Sequence, residues 1–304
     1  MHLHYHATTQ DLASKSGFNS ISDAARWTES VGLYGLSVFD HLIPFPARLP
    51  VSTPVLDPWV TLSACAAATE RLHLTTLVIN GSLVHPARLS KTVATLVHLA
   101  GNRFTLGLGA GGYGPDEAAL QVKFAGNAER RQRLEELICF TQALWQDPPN
   151  AFAGQYYATT ELGIEPRPAP PPPLLLGGAS DAILELVAKY ADACNFMFQT
   201  GTTLEHEMIR LDAALTAHDR PRSSIKLTLL ERILLRPGMD DAEAAFAAMG
   251  APQFPNGTRG MVGTPDTVAE QLTQFSNAGV SDLYLMFADQ TSRELFAQTL
   301  LGQQ

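Results

Sequence analysis

Asp40 and His41 stand directly after the short apolar run GLSVF, and the two side chains have complementary chemistry near neutral pH. An imidazole with an unperturbed pKa of about 6.5 exchanges protons there, and an adjacent carboxylate accepts hydrogen bonds from a bound cofactor or substrate. The plainer reading of the pair is a loop-capping aspartate beside a solvated histidine. Gly107, Gly109 and Gly112 in GLGAGG match GxGxxG after a strand-like run from Arg103 to Leu108. A dinucleotide site would need a helix opening at once and a second strand with an acidic end about 20 residues on. Here YGPDEAALQ follows, and then AERRQRLEEL, which disfavours a nicotinamide cofactor. Such glycines equally let a flat ring or a phosphate tail approach the backbone, or form a plain tight turn.

Gly177, Gly178, Ala179 and Ser180 separate the run LLL from a helical pattern, so free backbone N–H groups and a positive helix end suit an anion such as phosphate. His2, His4 and His6 alternate as on one strand face, but no carboxylate or cysteine accompanies them at ligand spacing, so no metal site is expected. His85 and His98 read as loop and packing residues. The absence of a GxSxG nucleophile elbow disfavours hydrolase chemistry.

The elements that must position these residues alternate from the outset. Strand-like runs at His2 to His6, Gly35 to Phe39 and Leu72 to Ile79 interleave with helical patterns at Ile21 to Val31, Pro58 to Thr69 and Pro86 to Leu99. The rhythm continues through an amphipathic helix from Ala128 to Trp145, LLLGG, a helix to Ala191, and a strand from Ala193 to Phe198. A helix to about Asp219 and strands at Ile225 to Leu235 and Asp282 to Phe287 follow. The last helical pattern, Asp266 to Ala278, starts after Gly263-Thr264-Pro265 and stops at Gly279. EPRPAPPPP, from Glu165 to Pro173, can form neither helix nor central strand and reads as an extended surface strap. About eight strands interleaved with helices fit a closed barrel or an open doubly wound sheet, and periodicity does not choose between them.

A chain of 304 residues with 45% hydrophobic and 17% charged side chains buries a large core as one domain, 1–304. The net charge of −9, with no basic run interleaved with aromatics, excludes a phosphate-backbone partner. Cys65, Cys139 and Cys194 lie far apart and outside any CxxC pattern, which points to core thiols in a reducing compartment. No basic n-region with an apolar stretch opens the chain, and no segment of about 18 apolar residues occurs, so a cytoplasmic protein off the membrane is expected.

Taken in order, SVFDHL, LDPWVTLSACAAATERLHLTTLV, HPARLSKTVATLVHLAGNRFTLGLGAGG, LLLGGASDAILELVAKYADACNF and MVGTPDTVAEQLTQFSNAGVSDLYLMF resemble the F420-dependent branch of the luciferase-like oxidoreductases over nearly the whole chain. The resemblance implies a (β/α)₈ TIM barrel with insertions. It implies that Asp40 and His41 lie beside a deazaflavin ring, with His41 near the carbon that exchanges hydride. It places a non-proline cis peptide behind the ring at Leu77 and Val78, and counts Asn80 of the same segment among the cofactor contacts. Gly109, Ala110 and Gly111 would flank the ring or its ribityl chain, and Gly177, Gly178 and Ala179 would hold the phosphate. One departure is Gly112, where sugar-phosphate dehydrogenases of the family carry an acid and many relatives a tryptophan. A needed proton would then come from His41, Asp116 or Glu117, or the substrate leaves its charge to solvent, and a glucose-phosphate dehydrogenase is the less favoured member.

The leading expectation is hydride transfer between coenzyme F420 and a small organic substrate on a homodimer. The alternatives are a monooxygenase using reduced flavin mononucleotide (FMN) and oxygen, and a non-catalytic flavin-binding protein. An open substrate-sized pocket beside the ring would favour an enzyme. Substrate identity would rest on insertion loops at Gly112 to Asn127 and Arg236 to Gly260, where Arg259 is read as a surface residue.

Overall fold

Short leucine-rich runs cannot bury both faces alone, and here they close on one another. The computed structural model describes residues 1–8, 18–45, 49–123, 126–254 and 257–301. Eight parallel strands form a ring: β1 (His2–His6), β2 (Gly35–Val38), β3 (His73–Thr76), β4 (Phe104–Gly109), β5 (Leu174–Gly177), β6 (Ala193–Met197), β7 (Lys226–Leu235) and β8 (Val280–Phe287). Each pairs with its successor. β8 returns to β1 with Leu283 beside Leu3, which decides for the closed barrel over an open sheet.

The covering helices are α1 (Phe18–Ser30), α2 (Pro58–Ala68), α3 (Pro86–Ala100), α4 (Gly114–Leu120) and α5 (Asn127–Leu144) in the first half. The second half carries α6 (Asp181–Tyr190), α7 (Gly201–Ala217), α8 (Met239–Ala248), α9 (Pro265–Asn277) and α10 (Gln290–Phe296). Local chemistry sets their ends. Asp57 Oδ1 accepts the Val60 N–H at 2.9 Å with Pro58 in the first turn of α2, and Gly101 at φ +61° ends α3. Thr264 and Thr267 form a reciprocal cap on α9.

The main core lies between ring and helices. A second cluster of Leu77, Leu175, Ala193, Phe198, Leu230 and Tyr284 comes from the opposite strand face and fills the barrel interior.

Several boundaries differ from the sequence reading. The run Leu72 to Ile79 is not one strand: β3 stops at Thr76, a cis peptide joins Leu77 and Val78, and a two-residue strand, Ile79–Asn80, pairs with Leu108 and Gly109. The expected loop 112–127 contains α4, and the expected loop 236–260 contains α8; residues 124–125 and 255–256 lie outside the described residues. Met261–Gly263 adds a short strand to β7, and α10 follows the helix that was expected to be last. A hairpin, Asn150–Ala153 with Ala158–Leu162, was not expected, because its strands are largely exposed and carry no apolar alternation. Residues 165–173 carry neither helix nor strand, as the prolines dictate. His85 caps α3 by accepting the Ala87 N–H at 3.3 Å, whereas His98 is exposed in its last turn rather than packed. Cys65 and Cys194 are buried thiols and Cys139 is half-buried.

One carboxylate fixes the passage from α2 into β3. Glu29 Oε1 accepts the backbone N–H groups of Glu70, Arg71 and Leu72 at 3.2, 2.6 and 2.9 Å. Burial pushes its pKa up, but the three N–H groups outweigh that and hold it below the usual glutamate value. Glu29→Gln keeps an acceptor and loses the charge, so a cost of about 1–2 kcal/mol is expected as a lower urea midpoint at neutral pH. Because the folded pKa is depressed, the stabilisation is present above the unfolded value and fades as pH falls through the folded one. The difference between wild type and variant should shrink on acidification; a constant difference would refute the assignment.

Candidate active site

The carboxyl ends of all eight strands border one open cavity of about 420 Å³. His6 enters from β1, Asp40 and His41 from the turn after β2, and Leu77 to Asn80 from the break in β3. Gly109 to Tyr113 follow β4, Gly177 and Gly178 end β5, Asn195 and Phe198 come with β6, Leu230 with β7 and Met286 with β8. This is the face where parallel barrels carry their ligands.

The glycine pattern has a local cause. A Cβ on Gly107 would lie 1.9 Å from the Thr76 carbonyl oxygen, one on Gly109 2.9 Å from Val78 Cγ2, and one on Gly177 3.1 Å from Val78 Cγ1. These three glycines therefore make room for the third strand where it breaks, and Val78 occupies the wall between β4 and β5. Gly111, at φ +79°, abuts Asn80 Oδ1 and Ser82 Oγ, which are themselves hydrogen-bonded at 2.6 Å. No long helix opens at these glycines, in keeping with the disfavoured dinucleotide reading of GxGxxG, and they serve strand packing and, at Gly109 and Gly112, the cavity wall.

Asp40 turns inward, and its Oδ2 accepts the Asn80 N–H at 3.0 Å; burial raises its pKa above the usual carboxylate value. His41 Nδ1 lies 3.0 Å from Oδ2 of Asp116, and its ring stacks at 5.1 Å and 5° on Phe45, with Tyr113 at 4.5 Å. Asp116 is fully buried and also accepts the N–H groups of Leu42 and Ile43, both at 3.1 Å. Glu117 points elsewhere: it accepts the Gly112 N–H at 3.0 Å and pairs with both terminal nitrogens of Arg130. Of the three expected proton carriers, His41 and Asp116 thus form a pair and Glu117 is a strut. His6 bonds Ser37 Oγ at 2.9 Å, and burial pushes its pKa down to about 3, so it stays neutral beside His41.

Of the cofactor contacts expected from sequence, Asp40, Leu77, Val78, Asn80, Gly109, Ala110, Gly111, Gly177 and Gly178 border the cavity together with His41. Ala179 does not; it packs against the main core just behind Gly178. Gly178 and Ala179 lead into α6, whose cap is Ser180 and whose first residue, Asp181, is paired with Arg210 at 2.6 Å. The histidine triplet holds no metal cluster among the described residues. His2 and His4 instead share Asp282 Oδ1 at 3.3 and 2.9 Å, a carboxylate from β8 that sequence spacing could not bring near. Phe45, Tyr113, Asn195 and Phe198 were missed in the sequence because single aromatic or amide residues carry no spacing signal.

No described residue bordering the cavity is Lys or Arg. Arg232 donates to the carbonyls of Pro252 and Arg259 and lies 4.5 Å from the Phe254 ring centroid, and Phe254 stacks on Phe198. Arg259 pairs with Glu243 at 2.7 Å on the surface, as expected. Among the described residues no helix is long and apolar enough to cross a membrane.

Known proteins share this architecture. The F420-dependent glucose-6-phosphate dehydrogenase of Beutenbergia cavernae is 31% identical over 220 residues, 72% of this chain and 64% of that protein, so the match spans less than two thirds of its length. The F420-dependent hydroxymycolic acid dehydrogenase of Mycobacterium tuberculosis is 29% identical over 254 residues, 83% of this chain and 67% of that one. The solved structure of an F420-dependent secondary alcohol dehydrogenase in complex with an F420-acetone adduct superposes with a TM-score of 0.84 over 98% of both chains at 18% identity, which establishes a common fold. With the model of the luciferase-like monooxygenase family matching residues 1–259, the chain belongs to that family.

Proposed function

We propose that the chain is an F420-dependent oxidoreductase that transfers hydride between the deazaflavin and a small uncharged alcohol or carbonyl compound. The observation that carries this is the convergence, in one cavity, of the Asp40–His41 pair, the Leu77–Val78 wall and the glycine edge Gly109–Gly111. The site suits a flat, anionic cofactor. An apolar wall and bare backbone admit a ring, Asp40 offers a buried carboxyl for a ring edge, and Gly177 and Gly178 at the start of α6 suit a phosphate. When bound, the deazaflavin supplies the carbon that accepts or donates hydride. His41 takes up or returns the substrate hydroxyl proton, and Phe45, Tyr113 and Phe198 form apolar walls that exclude water.

With the backbone at Gly177 and Gly178 given to the cofactor phosphate, no Lys or Arg among the described lining residues remains for a second one, which supports an uncharged substrate over a sugar phosphate, in line with Gly112 in place of an acid. A homodimer working in the reducing cytoplasm completes the proposal, consistent with three free thiols.

Equilibrium binding followed by tryptophan quenching tests the cofactor. F420 should bind the apoprotein at least about tenfold more tightly than FMN, and His41→Ala should weaken the contact. Tighter binding of FMN would move the assignment to a flavin monooxygenase, and binding of neither would refute both.

A further inference from the structure

Asp116 does not border the cavity, yet its hydrogen bonds converge on the loop that does. Its Oδ1 is occupied by the Leu42 and Ile43 N–H groups, and its Oδ2 meets His41 Nδ1 at 3.0 Å. An ionised carboxylate offers only acceptors, so Nδ1 carries the proton of the neutral ring and Nε2 keeps the lone pair. The stacked ring of Phe45 and the nearby Tyr113 hold the imidazole plane in place. Among the described residues, the other ionisable side chains around His41 are Asp40, bonded to Asn80, the buried His6, bonded to Ser37, and the Tyr113 phenol.

We propose that Asp116 is the positioning residue of this site: it fixes the Nδ1–H tautomer of His41 and so makes Nε2 the proton acceptor for a substrate hydroxyl. A bound deazaflavin would take the substrate C–H hydrogen with its electron pair, while the O–H proton passes to His41 Nε2, leaving C=O and an imidazolium hydrogen-bonded to Asp116. Reduction returns both. The reaction rests on the function proposed above; the tautomer belongs to the protein alone.

The test reads both. Nitrogen chemical shifts of the histidine-labelled apoprotein should show His41 as the Nδ1–H tautomer. Asp116→Asn keeps the shape and the acceptor for Leu42 and Ile43 but presents an NH₂ group to His41, so the tautomer should switch to Nε2–H. In the holoenzyme kcat for alcohol oxidation should then fall about 100-fold or more, with KM changed by less than about threefold. An Nε2–H tautomer in the wild type overturns the proposal even if the variant does not fold. An unswitched tautomer in the variant, or kcat within about threefold of wild type, also overturns it. The tautomer is read without cofactor, so failure of F420 to bind, which refutes the function, is told apart from failure of Asp116 to orient His41.

Discussion

Gly107→Ala is expected to abolish the folded state, whereas Gly109→Ala should cost stability that Val78→Ala partly restores. A methyl at 107 would meet a backbone oxygen, Thr76 O, at 1.9 Å, in the middle of a ring whose strands are held on both sides. Relief requires moving β3 or β4, a loss of more than about 4 kcal/mol against a net stability of about 5–15 kcal/mol. At 109 the obstacle is a side-chain methyl of Val78 at 2.9 Å, so overpacking of about 1–3 kcal/mol is expected. Urea denaturation of both single variants and the double variant closes a cycle, and a favourable coupling of about 1 kcal/mol or more is expected. Strict additivity would show that Val78 is not what excludes a side chain there. A well-folded Gly107→Ala protein would contradict the tight third-to-fourth strand contact altogether.

Glu231→Gln should stabilise the protein at pH 8 by several kcal/mol and leave it nearly unchanged near pH 4.5. Along β7, Leu229 and Ile233 belong to the core between ring and helices, and Glu231 shares their face by alternation. It is 1% exposed; its Oε1 accepts the Gln199 N–H at 2.5 Å, and burial pushes its pKa from 4.5 up to about 8. Between those values the unfolded chain has released the proton and the folded one has kept it, so wild-type stability falls as pH rises from 4.5 to about 8. The gap corresponds to about 5 kcal/mol as an upper order of magnitude. Glutamine retains the acceptor for Gln199 and cannot ionise, so the variant loses this slope. Denaturation midpoints measured across the interval check it; parallel pH profiles for the two proteins would show that Glu231 is ionised in the fold.

Much of the scaffold was legible because it rests on local rules. Alternating apolar runs marked the eight barrel strands, and Asp57-Pro58, Gly101 and Thr264-Pro265 behave as the turn and cap chemistry requires. Periodicity did not reveal barrel closure, since pairing of β8 with β1 joins the two ends of the chain; the family resemblance implied it, and the ring bears it out. α4 escaped because seven residues opening with Gly114-Pro115 are too short to show helical periodicity, although the acids at 116 and 117 are the expected first-turn residues. Gly109, expected beside the cofactor, borders the cavity and Gly107 does not; the clearance the two glycines give Thr76 and Val78 depends on a contact between strands. The Asp40–His41 turn could be located from the strand before it. That His41 is paired with Asp116, 75 positions away, needed the fold.

The two neighbouring acids of α4 bind in different directions, Asp116 to the loop after β2 and Glu117 to Arg130 at the start of α5. The excursion after β4 is therefore a module with two plugs, and grafting it between relatives would exchange more than a lid. A chimera that replaces residues 112–126 without importing matching partners at positions 41 and 130 should inherit a new specificity loop together with a disoriented histidine. Redesign of substrate range in this protein has to treat that segment and the His41 turn as a single heritable unit.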